Sequence, residues 1–139
     1  MYVDLPIWKD SPETPITAEA LNLYREAINN LQSRDYIVEQ GTSGIWVYRK
    51  WNSGIAECWG KYYEQISPYS TNTYLIPRQP YPFLFTEEPI DNASITIGTG
   101  TAYQANTYGY KDGFSCVCVA NTNATAYVTA RIYVIGKWY

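Results

Sequence analysis

The sequence predicts a mainly β protein, in which a β-sandwich or jelly-roll-like head follows one short N-terminal α-helix. Residues 18–34 are good helix formers and include neither Gly nor Pro. From Ile45 onward, apolar residues recur at every second position, which is the period of a strand. Breaks that contain Pro, Gly and Asn divide this region into short segments, as in a sandwich.

The segment before the helix is predicted to be an extended arm. Pro6, Pro12 and Pro15 each lack a backbone donor and restrict the residue before them, so residues 1–16 favour neither helix nor sheet. Thr17 is the predicted N-cap, because its hydroxyl can accept a hydrogen bond from the first helical turn. We assign residues 1–40 to the arm and helix, and residues 41–139 to the head.

The predicted helix carries an apolar seam. Leu21, Tyr24, Ile28 and Leu31 are spaced by three, four and three residues, which is a heptad pattern. A helix of about sixteen residues is roughly 24 Å long and is marginal alone in water. Two interpretations remain open: the seam packs on the sheet of its own chain, or it forms a short coil between chains.

The strands follow from alternation and from the turn residues between them. The last segment alternates most regularly, with apolar residues such as Val128 and Ile132 at even positions and Arg131 among the odd ones. The predicted strands are 45–51, 55–63, 73–77, 83–86, 92–97, 101–108, 114–120 and 125–138. Asn-Ser-Gly joins the first two, which predicts a type I turn that ends in a left-handed Gly54.

The first predicted hairpin is apolar on both faces. Ile45, Val47 and Trp51 lie on one face of its first strand, and Trp46 and Tyr48 lie on the other. A strand in a two-layer sandwich has only one core face. The second face therefore needs cover, either from the helix or from another subunit.

The composition disfavours several classes of function. The formal net charge is −3 and the ten Lys and Arg residues are scattered, with only Arg49 and Lys50 adjacent, so neither nucleic acid nor an anionic membrane is an expected partner. Histidine is absent, which removes the usual general base and the commonest metal ligand. Glu57 could belong to a glycoside-hydrolysing carboxylate pair, but a carboxylate that faces solvent or pairs with Lys50 is the simpler explanation. We expect no catalytic residues, no metal and no cofactor.

The three cysteines are expected to be reduced. Cys116 and Cys118 are two residues apart on one predicted strand and point to the same face, which is poor disulfide geometry. Cys58 lies on a distant strand. All three are therefore predicted to be small buried apolar residues.

Two parts of the sequence resemble phage tail proteins. "LPIWKDSPETPITAEALN" resembles the leader of many tailed-phage and prophage tail proteins. "WVYRKWNSGIAECWGKY", together with the final "VIGKWY", resembles the C-terminal head of tail-fibre and baseplate receptor-binding proteins, and "YPFLFTEEPI" matches a strand of that head. These segments cover about the first quarter of the chain and the borders of the remainder.

The resemblance implies a homotrimer. Short N-terminal helices would bundle through Leu21, Tyr24, Ile28 and Leu31, with β-sandwich heads packed around the axis. In the head, the resemblance implies that four aromatic residues are structural, form the subunit contact and have no catalytic role: Trp46, Tyr48, Trp51 and Trp59. It also implies a virion location on the phage tail, assembly in the bacterial cytoplasm, and contacts with other tail or baseplate proteins.

Three functions are compatible with these features. The leading hypothesis is a phage or prophage tail adhesin that recognises a saccharide on the bacterial surface, without membrane insertion. The second is a purely structural virion or baseplate component. The third, a carbohydrate-active enzyme or a free carbohydrate-binding module, would need neither the leader nor the heptad seam.

Two loop regions are the candidates for saccharide contact, because they combine aromatic rings with amide and hydroxyl groups. The first contains Tyr69, Asn72 and Tyr74. The second contains the residues Tyr103, Asn106, Tyr108, Tyr110 and Asp112, and it is favoured because glycines bracket tyrosines that a turn would expose. For each residue taken alone, an ordinary Tyr-rich strand or turn is the better-supported explanation.

Overall fold

The computed structural model describes residues 17–98, 100–102 and 104–139, so the expected arm lies outside the described residues. The chain divides into a unit that ends at Asp35 and a unit from Tyr36 to Tyr139. The first unit contains helix α1, Ala18–Ser33, and the second contains all of the described strands.

Helix α1 begins where the sequence predicts. The backbone N–H of Ala20 donates to the Thr17 hydroxyl at 3.1 Å, which is the expected N-cap. Glu19 in the first turn also favours this end of the helix dipole. Along the seam, Leu21 and Leu31 are 54% and 64% exposed, so their apolar surface remains available for contact.

The second unit is a two-sheet antiparallel sandwich, as predicted. Its strands are β1 Ile37–Ser43, β2 Trp46–Trp51, β3 Ile55–Ile66, β4 Thr73–Pro80, β5 Ile90–Ile97, β6 Gly100–Thr101, β7 Gln104–Gly109, β8 Gly113–Val119 and β9 Ala126–Lys137. One sheet has the order β1-β2-β3-β9-β5-β6, and the other has the order β4-β8-β7. The prediction of a mainly β fold with one short helix is confirmed.

The core lies between the two sheets. From Val128 to Val134 every second residue of β9 is buried, with Val128, Ala130 and Val134 at 0% exposure, which confirms the alternation of the last strand. Phe114 and Ile76 fill the core from the smaller sheet, also at 0% exposure. Because side chains alternate along a strand, the intervening β9 residues form the outer face of the larger sheet.

Three strand predictions were wrong. Strand β1 was missed, because Gly41 interrupts its alternation; the ring of Tyr48 on β2 lies over this glycine instead. Residues 83–86 are a loop, in which Phe85 enters the core while its N–H donates to the Lys111 carbonyl. The segment 101–108 is divided, because Thr101 pairs with the larger sheet and Gln104 pairs with the smaller one.

The first hairpin binds the last residues of the chain. Gly54 closes the turn in the left-handed region, with φ of +89°, as predicted. Its carbonyl accepts a hydrogen bond from the Trp138 N–H at 2.9 Å, and the Trp138 indole donates to the Trp51 carbonyl at 3.1 Å. Lys50 Nζ lies 4.9 Å from the centre of the Trp138 ring. The aromatic hairpin and the final "GKWY" therefore form one structural unit.

The three cysteines are free and buried, as predicted, and they should react only after unfolding. Burial raises the pKa of Cys58 and Cys116 to about 12 and that of Cys118 to about 11, because the core disfavours a thiolate. At pH 8 we expect almost no reaction of native protein with a thiol reagent, and three thiols per chain in denaturant without reductant. Rapid reaction of the native protein, or a count of one, would contradict the structure.

Candidate functional site

One cluster of exposed aromatic residues lies beside the β7–β8 turn. The rings of Tyr108 and Tyr110 stack with centres 6.4 Å apart, and both side chains are exposed. The guanidinium of Arg78, on β4, lies 4.0 Å from the centre of the Tyr110 ring and forms an ion pair with Asp112. These four residues are called the tyrosine cluster. Three belong to the predicted saccharide region; Arg78 was missed, because only strand pairing brings β4 to this turn.

A small depression of about 260 Å³ adjoins the tyrosine cluster. Its lining combines carboxylates and phenol rings, and consists of Glu88, Pro89, Asp91, Thr107, Tyr108, Gly109 and Tyr110. The backbone of Gly109 lies close to Asp91, because an added Cβ would lie 2.4 Å from Asp91 Oδ2 and the carboxylate would have to move. The site therefore offers ring surface next to hydrogen-bond acceptors.

The remaining predicted saccharide residues lie apart from this cluster. Asn72 precedes β4 at the opposite end of the smaller sheet, where its N–H donates to Asn123 Oδ1 at 2.9 Å. Tyr69 is exposed near that end, and Asn106 is exposed within β7. Tyr103 lies outside the described residues.

The prediction that Tyr74 contacts a saccharide was wrong. Its ring is 0% exposed in the core, and its hydroxyl donates to the Ala124 carbonyl at 2.6 Å. Tyr74 therefore has no surface to offer a saccharide. Its inward direction follows from strand alternation, because its neighbour Leu75 points outward.

The prediction that Trp46 lies in a subunit contact was also wrong. It is 1% exposed and packs edge-on against Tyr81 inside the sandwich, with ring centres 5.2 Å apart. Tyr48 is half-buried, and its hydroxyl donates to Glu39 at 2.9 Å. These aromatic residues complete the core of their own chain.

A second surface is the outer face of the larger sheet. Trp59 lies at its centre, directly opposite Val47 on β2 and Tyr133 on β9. A depression of about 700 Å³ beside it, called the outer groove, has apolar walls with polar groups among them. Its lining consists of Ile45, Val47, Trp59, Gly60, Lys61, Asn92, Ser94, Arg131, Ile132 and Tyr133. A Cβ at Gly60 would lie 2.4 Å from the Ile45 carbonyl oxygen, so glycine is needed at this position.

Glu57, the only carboxylate that the sequence singled out for catalysis, has structural partners on this face. The Tyr133 hydroxyl donates to it at 2.7 Å, and Arg49 lies 3.8 Å away. The hydrogen bond to Glu57 is the main reason that the pKa of Tyr133 is raised to about 12. Arg49 also lies 5.1 Å from the centre of the Trp59 ring. These contacts favour a role for Glu57 in ordering the outer face.

Two cations on the same face, farther along β3 and β9, have no carboxylate partner in the described residues. Lys61 on β3 is directly opposite Arg131 on β9, and neither forms an ion pair within the described parts of the chain. Lys61 Nζ lies 5.2 Å from the centre of the Tyr63 ring. Like charges that face each other on neighbouring strands are destabilising. Sequence reasoning missed this pair, because it depends on the register of strands about seventy residues apart.

Neither a metal site nor a spanning helix is found in the described residues. No group of three His, Cys, Asp or Glu side chains there is arranged to hold a metal ion. Within the same ranges, α1 is not a candidate for crossing a membrane.

Known proteins resemble this chain in fold. No protein-family profile and no curated protein sequence matches it. A C-terminal segment of the P. aeruginosa R1 pyocin fibre is similar, with a TM-score of 0.52 and 14% identity over 88% of this chain and 32% of that one. An N-truncated R1-type pyocin tail fibre is similar, with a TM-score of 0.51 and 14% identity over 88% of this chain and 98% of that one. These similarities show a tail fibre-like fold.

Removing one of the two facing cations should stabilise the protein. We expect Lys61→Gln to increase the free energy of unfolding by about 0.5 kcal/mol, because it ends the repulsion from Arg131. Urea unfolding at low salt measures the change, with Lys111→Gln, an exposed lysine elsewhere, as the matched control. A lower unfolding midpoint for Lys61→Gln than for the control would contradict this electrostatic account.

Proposed function

We propose that this chain is a receptor-binding component of a phage or prophage tail and that it recognises a saccharide on the bacterial surface. The tail fibre-like fold carries the proposal, because the similarity extends over 88% of the chain. The motifs "WKDSP" and "RKWNSG" add support through their resemblance to tail proteins. The proposed location is the virion tail, after assembly in the bacterial cytoplasm.

The tyrosine cluster is the proposed saccharide contact. Stacked phenol rings can cover the apolar face of a sugar, while Asp112 and nearby hydroxyl groups accept or donate hydrogen bonds to its oxygens. Tyr108 and Tyr110 are 42% and 39% exposed, so their rings remain accessible. Asn106 is a further candidate on the neighbouring strand, and Tyr69 with Asn72 would form a separate contact.

The proposed activity is binding without catalysis. Glu57, the candidate acid, accepts a hydrogen bond from Tyr133 and lies near Arg49, which suits a structural carboxylate. The alternative is a purely structural tail component. Adsorption of the purified protein to host cells would distinguish a receptor-binding role from a structural one.

The proposed assembly is a homotrimer built on α1. The first unit, which ends at Asp35, would supply the seam, and the second unit would supply the head, so the predicted boundary at residue 40 moves to the start of β1. Leu21, Ile28 and Leu31 are more than half exposed, and burial of this surface between chains would stabilise a helix of this length. In the head, Tyr48, Trp51 and Trp59 are half-buried and stay candidates for the subunit contact.

If the apolar seam of α1 holds the trimer together, charged residues in the seam should change the oligomeric mass. Wild-type protein should have the mass of three 15.9 kDa chains in light scattering coupled to size exclusion. Leu21→Asp with Ile28→Asp should dissociate the trimer, because each change buries an unpaired charge at the axis. Asn22→Asp with Asn29→Asp adds the same charges beside the seam and should leave the mass unchanged. A monomeric wild-type protein at micromolar concentration would refute the trimer.

If the tyrosine cluster contacts the saccharide, removing its two phenol rings should weaken adsorption to host cells. Tyr108→Ala with Tyr110→Ala should reduce adsorption to host cells by about tenfold or more, because two stacking rings are lost. Tyr63→Ala with Tyr127→Ala removes another exposed stacked pair, whose ring centres are 4.9 Å apart, and should leave adsorption intact. Both variants should keep the wild-type mass. Unchanged adsorption of the first variant would place the site elsewhere, and a wild type that adsorbs to no strain would support the structural alternative.

A further inference from the structure

The outer groove combines three features that a single class of ligand would use. Trp59 and Tyr133 face each other across β3 and β9 and provide ring surface. Asn92 and Ser94, on β5, provide an amide and a hydroxyl in the same lining. Arg131 is aligned with both Lys61 and Ser94 on the two neighbouring strands. The lining includes no carboxylate.

From this arrangement we infer that the outer groove binds an acidic saccharide, a sugar whose ring carries a carboxylate or a phosphate. The inference rests on the proposed function for the saccharide class, and it adds both a second contact surface and the charge of the ligand.

The positive charge of Lys61 and Arg131 favours a saccharide that carries a negative charge. The chain as a whole has a net charge of −3, so two facing cations are not a consequence of a basic composition. Glu57 is the carboxylate of β3 on the same face as Lys61, and it already accepts a hydrogen bond from Tyr133 and pairs with Arg49. An anion placed between Lys61 and Arg131 would replace their repulsion with two charge-assisted hydrogen bonds. A neutral sugar would leave the repulsion in place.

The aromatic, amide and hydroxyl groups beside these cations favour a saccharide over a small inorganic anion. The Arg49 guanidinium lies 5.1 Å from the centre of the Trp59 ring, a cation–π contact that favours this position of the indole. Rings of this kind cover the apolar face of a sugar, and amides and hydroxyls such as those of Asn92 and Ser94 bind its hydroxyl groups. On its other side, Trp59 lines a second depression with Gln40, which extends the platform across the sheet.

A second copy of the chain is the less favourable occupant. A subunit interface over this face would bury Lys61 and Arg131, and burial of cations is costly unless the partner supplies carboxylates in register. A saccharide brings its own charge and leaves the rim of the groove in water. The subunit contact suggested for Trp59 is therefore the competing outcome of the test.

The test titrates the full-length protein with defined probes and follows its amide and indole NMR signals. The probes are trigalacturonate, which carries carboxylates, glucose 6-phosphate, which carries a phosphate, and neutral maltotriose. We expect at least one acidic probe to shift the signals of Trp59, Lys61 and Arg131, and maltotriose to bind at least about tenfold more weakly. The acidic probe that binds identifies the anionic group. Its affinity should fall as NaCl rises from about 20 to about 300 mM.

Two double variants locate the effect. Lys61→Gln with Arg131→Gln should reduce the affinity for the acidic probe by about tenfold or more, because both cationic donors are lost. Lys111→Gln with Lys137→Gln removes the same charge outside the groove and should bind as the wild type does. Circular dichroism and light scattering establish that both variants keep their fold and their mass.

Several outcomes would overturn the inference. They are equal binding of neutral and acidic probes, no binding of either acidic probe, and retained affinity in Lys61→Gln with Arg131→Gln. A change of oligomeric mass in that variant would assign the groove to a subunit interface instead. Adsorption to host cells without acidic-probe binding would overturn only the groove. Acidic-probe binding without adsorption to any strain would overturn the proposed function and leave the groove standing.

Discussion

The antiparallel pairing of β3 with β9 determines most of what surrounds it. The ladder extends from Ile55, opposite Lys137, to Ile66, opposite Ala126, and β2 and β5 attach to its two sides. Its inner residues fill the core, and its outer residues form the centre of the exposed face. A shift of one residue in this register would exchange the two sets, because neighbouring side chains point to opposite faces. Burial of the β9 residues in the core therefore also fixes which side chains meet on the outer face.

Local signals in the sequence were sufficient for part of this structure. The alternation of β9 and the left-handed Gly54 depend on neighbouring residues, and both were predicted. Strand β1 was missed, because the ring of Tyr48 occupies the space beside Gly41, and only the strand pairing brings that ring near. The other three residues of the tyrosine cluster were predicted. Arg78 was missed for the same reason as β1, because only strand pairing brings it near the turn. The outer groove requires the register of three strands, and no local pattern encodes that register.

The outer face departs from what stability alone would select. Lys61 faces a second cation across the ladder, and Trp59 remains only half-buried at the centre of the sheet. Side chains that break a local rule of this kind are commonly found where a protein binds something. The contacts of Glu57 with Tyr133 and Arg49 show that the same face can neutralise charge where it is needed. A preformed surface of this kind would lose little conformational freedom on binding.

The position of β9 has a consequence during synthesis on the ribosome. This strand is central in its sheet but is the last described strand to be translated, so β3 and β5 lack their shared neighbour until it emerges. Over that interval β3 presents a long unpaired edge, and such an edge can pair with another chain. Closing a ladder between residues so distant in sequence is also slow. Several nascent chains on one messenger would hold such edges near one another, and this favours early contact between copies but also increases the risk of mispairing.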